Sequence, residues 1–278
     1  MENLYEKLID LQRRGIPLMM VTVIEKTGEG PVEVGKKMIV GENLEAYGTV
    51  GGGALEFHAR ELCKELLQKR ENRYEKYLLA EGKVYPDTIT LPMACGGKVS
   101  LMYEYLGAKE YVYIFGAGHV GQALANVLKT MPFHITVIDE RKDVAKAFKN
   151  ADLVYDMGFV EYIEKYSIKE DSFVVVCTPA HLHDYHVINK ILELKLKPKY
   201  MGMLCSPIKL RDYLDKTYEQ FGQEVDLSNF YSPIGLNLGG GSPSEIAISI
   251  SSEILAVSNG KINHNHMRET TDGVPHYW

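Results

Sequence analysis

The chain has 278 residues, of which 45% are apolar and 24% charged, with a formal net charge of −6. Those values belong to a soluble globular protein with room for two ordinary domains. They exclude broad nucleic-acid binding, which depends on clustered Lys and Arg, and no apolar run approaches the ~20 residues of a membrane span.

Taken in order, Glu2 to Arg14 places Leu4, Tyr5, Leu8, Ile9 and Leu11 at helical spacing, and Gly15 with Pro17 ends that helix. Pro17 to Ile24 reads as a buried strand. Lys37 to Val40 and Ala46 to Val50 read as short strands around a turn at Gly41-Glu-Asn43. Gly51-Gly52-Gly53 opens a helix whose Leu55, Ala59, Leu62 and Leu66 share one face. Tyr74 to Ala80 and Lys98 to Tyr105 are further strands, and Gly107 to Glu110 is the natural boundary. Beyond it strands at 111–115, 133–138, 153–155, 173–177 and 200–204 alternate with helix-like stretches such as Val187 to Lys195. Such alternation predicts a parallel sheet with helices on both faces. Ser242-Pro-Ser-Glu245 predicts a capping box opening a last helix with Ile246, Ile250, Ile254 and Val257 on its apolar side.

The expected organisation is an N-terminal domain over 1–107, a second domain over 108–258 and a loose tail over 259–278, ending in Tyr277-Trp278. The opening Met1-Glu-Asn-Leu-Tyr-Glu6 lacks the basic then apolar start of a secretion signal, so the expected location is cytoplasmic. Cys63, Cys95, Cys177 and Cys205 are far apart and form no C-x-x-C pair, which points to neither a zinc knuckle nor a disulfide framework.

The most informative segment is the strand Tyr111 to Phe115 running into Gly116-Ala-Gly118-His-Val-Gly121 and a helix from Gln122 to Lys129. Gly116 permits a tight turn, Gly118 lets backbone N–H groups approach a phosphate, and Gly121 lets the helix pack on its strand. The helix N-terminus supplies unpaired donors and partial positive charge. A second strand ends at Asp139, where a nucleotide-binding fold places the carboxylate that accepts ribose hydroxyls. The plainer alternatives are a glycine turn that holds no nucleotide, and an Asp139 that serves only the turn after its strand.

Several segments together resemble the xanthine dehydrogenase accessory factor family, also called the XdhC/CoxI family. They are Pro31 to Met38, Gly48-Thr-Val-Gly-Gly-Gly-Ala-Leu-Glu56, Cys95-Gly-Gly-Lys-Val99, Ile114 to Gly121, Val137-Ile-Asp-Glu-Arg141, Pro233 to Leu236 and Pro243 to Ala247, in family order across nearly the whole chain. The resemblance implies an α/β protein with an N-terminal α+β domain typical of the family and a Rossmann-like, doubly wound C-terminal domain. It also implies a non-catalytic accessory protein that binds molybdenum cofactor, protects it and helps deliver it to xanthine dehydrogenase or a related molybdenum hydroxylase. A cysteine desulfurase-type sulfuration partner and a homodimer belong to the same expectation. Three departures stand out: Ala54 replaces a frequent family cysteine, Thr178, His181 and Asp184 are what is kept of a Thr-His-Asp-His-x-x-Asp segment, and Leu204 to Ile208 lacks the family's paired arginines.

For such a cargo, Gly51-Gly52-Gly53 can offer successive N–H groups to an anion, with Glu56 either tying back the loop or touching the pterin edge. A simple strand-to-helix glycine turn is the competing reading. Cys95, between Ala94 and two glycines, is the candidate soft ligand, set against an inert buried thiol. Cys63 and Cys177 read as packing residues, and so does Cys205 despite its place after a strand. The cluster His181, His183, Asp184 and His186 has hydrolase-like metal spacing but no partner constellation, and reads instead as surface histidines at a strand end. A second function class is an oxidoreductase using NAD(P) in the second domain, with Cys95 or His181 moving the proton.

Overall fold

A computed structural model of the protein describes residues 3–29, 32–80, 86–93, 96–108 and 110–261. The chain divides into two units, Met1–Lys109 and Glu110–Trp278, each built on a six-stranded sheet.

The first unit runs α1 (Leu4–Arg13), β1 (Leu18–Thr27), β2 (Lys37–Gly41), β3 (Ala46–Gly48), α2 (Gly53–Lys69), β4 (Arg73–Leu79), β5 (Ile89–Leu91) and β6 (Lys98–Leu106). Its strands lie in the order β3-β2-β1-β6-β4-β5, antiparallel except for the β4–β5 pair. Central β1 alternates between two covered faces. Met19, Val21 and Val23 pack into a core with Leu55, Ala59, Cys63 and Leu66 of α2, while Leu18 joins Ile39 and Leu11 of α1. Burial on both sides is why the start of β1 reads as one continuous apolar run.

The second unit runs β7 (Glu110–Phe115), α3 (His119–Leu128), β8 (Phe133–Ile138), α4 (Lys142–Ala147), β9 (Leu153–Tyr155), α5 (Phe159–Tyr166), β10 (Phe173–Val176), α6 (His181–Glu193), β11 (Tyr200–Met203), α7 (Pro207–Phe221), β12 (Phe230–Tyr231) and α8 (Pro243–Ser258). All six strands are parallel, in the order β12-β11-β10-β7-β8-β9. Val112 and Ile114 of β7 face Leu124 of α3 and Ile250 of α8, whereas Tyr113 and Phe115 meet the rings of Tyr162 and Phe159 on α5. The sheet is therefore wound on both faces, with β7 and β10 at the switch point, the place where folds of this kind generally seat ligands. The fold is a mixed α+β domain followed by a Rossmann-like one.

Sequence and structure differ in places. The helix expected from Val187 begins at His181, so the histidines counted as strand-end residues lie on the first turns of α6. Helices α4, α5 and α7 and strands β5 and β12 stand out only in the structure. The capping box appears as expected: Ser242 Oγ accepts from Glu245 N at 3.4 Å, and Glu245 Oε2 accepts from Ser242 N at 2.9 Å. The tail beyond residue 261, including Tyr277 and Trp278, lies outside the described residues.

Candidate functional site at the sheet edge

The three glycines after β7 differ in what surrounds them. Gly116 has φ of +120°, and a Cβ there would sit 2.3 Å from the Cys177 carbonyl oxygen. A Cβ on Gly121 would lie 2.0 Å from the Gly116 carbonyl oxygen, so α3 rests directly on the turn. A Cβ on Gly118 would meet nothing within 4 Å. Two of the glycines are thus demanded by packing, and Gly118 leaves its backbone open at the N-terminus of α3, which has no side-chain cap. An anion approaching there meets helix N–H donors.

Asp139 does not face that opening. Its side chain is fully buried, Oδ1 accepts from Arg141 N at 3.0 Å and Arg141 Nε at 2.8 Å, and Oδ2 accepts from Ala117 N at 2.8 Å and Arg141 Nη2 at 2.6 Å. A carboxylate has about four lone-pair sites, and all four are taken. Burial alone would raise its pKa, but these bonds outweigh burial and hold the carboxyl below the ordinary Asp value. Asp139 fastens the glycine turn to the end of β8, and a ribose hydroxyl would have to displace Arg141 to reach it. The Asp-x-Arg spacing in Asp139-Glu-Arg141 was the signal available for this in the sequence.

Across the edge, the β10–α6 turn is held by another buried carboxylate. Asp184 Oδ1 accepts from Thr178 N at 2.9 Å and Thr178 Oγ1 at 2.7 Å, and its Oδ2 lies 3.5 Å from His181 Nδ1. Burial is the largest influence and leaves the Asp184 pKa above its ordinary value despite the Thr178 bonds. Lys209, on the first turn of α7, reaches His181 Nε2. Thr178, His181 and Asp184, three scattered residues of one sequence segment, are therefore a bonded unit.

Next to it, a cavity of about 210 Å³ is lined by Glu140, Gly158, Phe159, Glu161, His183 and His186. His183 Nδ1 is buried there without a hydrogen bond, 3.5 Å from Glu140 Oε1, and its ring lies 5.7 Å from that of Phe159. Sequence reading did not assemble this cavity, because its residues come from the ends of β8, β9 and β10. Among the described residues no group of three or more His, Cys, Asp or Glu could hold a metal ion.

In the first unit, the triple glycine is braced by Glu56, whose Oε2 accepts from Thr49 Oγ1 at 2.6 Å, Val50 N at 3.3 Å and Gly52 N at 3.2 Å. Gly51, with φ of +124°, is pressed on Val32, where a Cβ would meet Cγ2 at 2.6 Å. Gly52 and Gly53 also have positive φ, at +72° and +59°. Of the two readings offered for Glu56, tying back the loop is the one seen, and it engages N–H groups an anion would otherwise use. Cys95 lies outside the described residues; beside it, Gly96 N donates to the Leu79 carbonyl at 2.6 Å and Leu79 N to the Gly97 carbonyl at 2.8 Å. Burial pushes the Cys63 and Cys177 thiols up to about 12, so neither is a thiolate near neutrality. Cys205, partly exposed, is also raised, mainly by burial, with Lys209 working against the shift.

Among the described residues no helix is long and apolar enough to cross a membrane. Compared with known proteins, residues 11–78 match the XdhC and CoxI family and residues 112–254 match the XdhC Rossmann domain. The chain is 27% identical over 261 residues to the uncharacterized protein YqeB of Escherichia coli strain K12, covering 92% of this chain and 46% of that protein. It is 27% identical over 158 residues to a probable xanthine dehydrogenase subunit from Bacillus subtilis strain 168, covering 56% of this chain and 45% of that protein. The chain thus spans about half the length of the curated relatives it matches. A solved structure from Bacillus halodurans, titled as a xanthine dehydrogenase, is similar at a TM-score of 0.49 and 21% identity, covering 94% of this chain and 97% of that one. With one family domain matched in each half, the chain belongs to the XdhC/CoxI family.

Proposed function

We propose that this protein is an accessory factor that binds molybdenum cofactor, shields it, and helps insert it, after sulfuration, into xanthine dehydrogenase or a related molybdenum hydroxylase. The observation that carries the proposal is family membership in both halves of the chain. The name of the Bacillus subtilis relative, a probable xanthine dehydrogenase subunit, supports the same client class. A cysteine desulfurase-type partner, a homodimer and a cytoplasmic setting complete the proposal.

The cargo is a pterin bearing a dithiolene-bound metal and a phosphate, so its carrier needs anion donors and a place for a flat ring. The open backbone at Gly118 suits the phosphate. Gly51, Gly52, Gly53 and Glu56 are proposed as a second contact, in which an incoming anion would compete with the Glu56 carboxylate for the N–H groups of Val50 and Gly52. Cys95 is proposed as the soft ligand near the metal. Filled lone pairs on Asp139 weigh against a dinucleotide held by its ribose, and so against the NAD(P) oxidoreductase reading.

The test is purification from a host that makes the cofactor, molybdenum and pterin analysis of the product, and mixing with apo xanthine dehydrogenase. Retained cofactor and recovered hydroxylase activity are expected, and Cys95→Ser should lower retention severalfold with the fold intact by circular dichroism. A native protein that neither retains cofactor nor activates the apoenzyme overturns the proposal.

A further inference from the structure

We propose that the cavity between Glu140, Phe159 and His183 is a seat for one planar ring bearing a 2-amino-4-oxopyrimidine edge, the edge shared by pterins and guanine. The inference rests on the accessory-factor reading only for which of those two rings is the natural occupant.

Position comes first. Glu140 follows β8, Gly158 and Phe159 follow β9, and His183 and His186 sit on the helix that follows β10, so the cavity opens at the carboxyl edge of the parallel sheet. The Cys177 carbonyl, just ahead of α6, touches Gly116, and Asp139, just ahead of Glu140, bonds Ala117. The cavity therefore adjoins the glycine turn, on the side where a doubly wound sheet seats the base of a nucleotide.

Size comes next. At about 210 Å³ it is smaller than the ~300–1,000 Å³ typical of whole drug-sized ligands, and fits one ring system. Phe159 is 4% exposed and contacts the rings of Phe115 and His183, which gives the cavity an aromatic floor.

Chemistry selects the ring. A carboxylate accepts two parallel N–H groups, which a 2-amino group and its neighbouring ring N–H supply side by side. His183 Nδ1 is buried without a hydrogen bond, 3.5 Å from Glu140 Oε1, so that as the Glu140 carboxylate turns onto the amino edge, Nδ1 is uncovered to donate to the adjoining carbonyl of such a ring. The pattern of two acceptors beside one donor is complementary to that edge. Adenine offers one amino group next to an unprotonated ring nitrogen, which would face carboxylate oxygen without a proton between them. The cavity lining contains no Lys or Arg, so a phosphate is not what it holds.

The experiment is calorimetric titration of the full-length protein with 6-hydroxymethylpterin, GMP and AMP. Pterin should bind and AMP should not. Glu140→Gln, a change at a side chain 47% exposed, should weaken pterin binding by roughly tenfold or more, because one of two charge-assisted bonds becomes a mismatch. Glu161→Gln serves as the comparison across the same cavity, expected to weaken binding less. GMP binding with no pterin binding would keep the edge and assign it to guanine. AMP binding as tight as pterin, no binding of pterin or GMP, or an unchanged affinity in Glu140→Gln would overturn the inference. Cofactor retention that survives Glu140→Gln would sink this site and leave the accessory function standing. Glu140-dependent pterin binding by a protein that never retains the metal cofactor would do the reverse.

Discussion

His134 shows how a single side chain can set acid sensitivity. It is nine-tenths buried on β8 beside Tyr111, and neither ring nitrogen has a hydrogen bond. Burial is the main influence and lowers its pKa below the ordinary 6.5; Asp152 pulls the other way, and Lys129 and Lys169 add to the lowering. The folded chain therefore refuses a proton that the unfolded chain accepts below about pH 6.5, so stability is full above that pH and falls as pH drops from it toward the folded value. His134→Phe keeps a ring and removes both unpaired nitrogens. We expect it to stabilise the protein by about 1 kcal/mol at pH 7 and to reduce the loss between pH 6.5 and 5, measured by urea denaturation at each pH. An unchanged pH slope would show that other groups dominate. At this scale the sequence was a partial guide: Asp139 is legible as a strand-end carboxylate, but whether it points at a ligand or at Arg141 depends on a turn that only the folded chain defines.

Elements carry the next distinctions, and within four residues the glycine turn sets a tightly packed position, Gly121, beside an open one, Gly118. Gly121→Ala forces a methyl group to 2.0 Å from the Gly116 carbonyl and should destabilise by about 2–3 kcal/mol through overpacking. Gly118→Ala meets open space at φ of −72° and should leave stability within about 0.5 kcal/mol while reducing anion uptake. Thermal denaturation and cofactor retention, measured on both variants, check the contrast; equal stability loss at both sites would erase it. Strands β7, β8 and β10 were legible because both faces are covered and each reads as an apolar run. Helix α4 was not, since six residues hold too few turns to show a period, and β12 has only two residues. The start of α6 was obscured by Thr178-Pro-Ala-His181, whose polar content reads as a loop until Asp184 is seen bonding back to Thr178.

On the scale of the whole molecule, the main core cluster of the first unit is built from residues between Met19 and Tyr103, and that of the second from residues between Val112 and Ile254. The proposed division near 107 follows from the glycine at that point, and the contact pattern divides the chain after Lys109. Leu101→Ala, a fully buried position on β6, should cost the first unit about 2–5 kcal/mol. Hydrogen exchange followed by mass spectrometry should then show faster exchange in peptides of β1, β4 and β6, with β7, β8 and β10 still protected. Simultaneous loss across both sheets would mean the two cores melt as one. If exchange stays confined to one sheet, this polypeptide fails by halves, heat or a harmful substitution dissolving one interior while the other stays assembled.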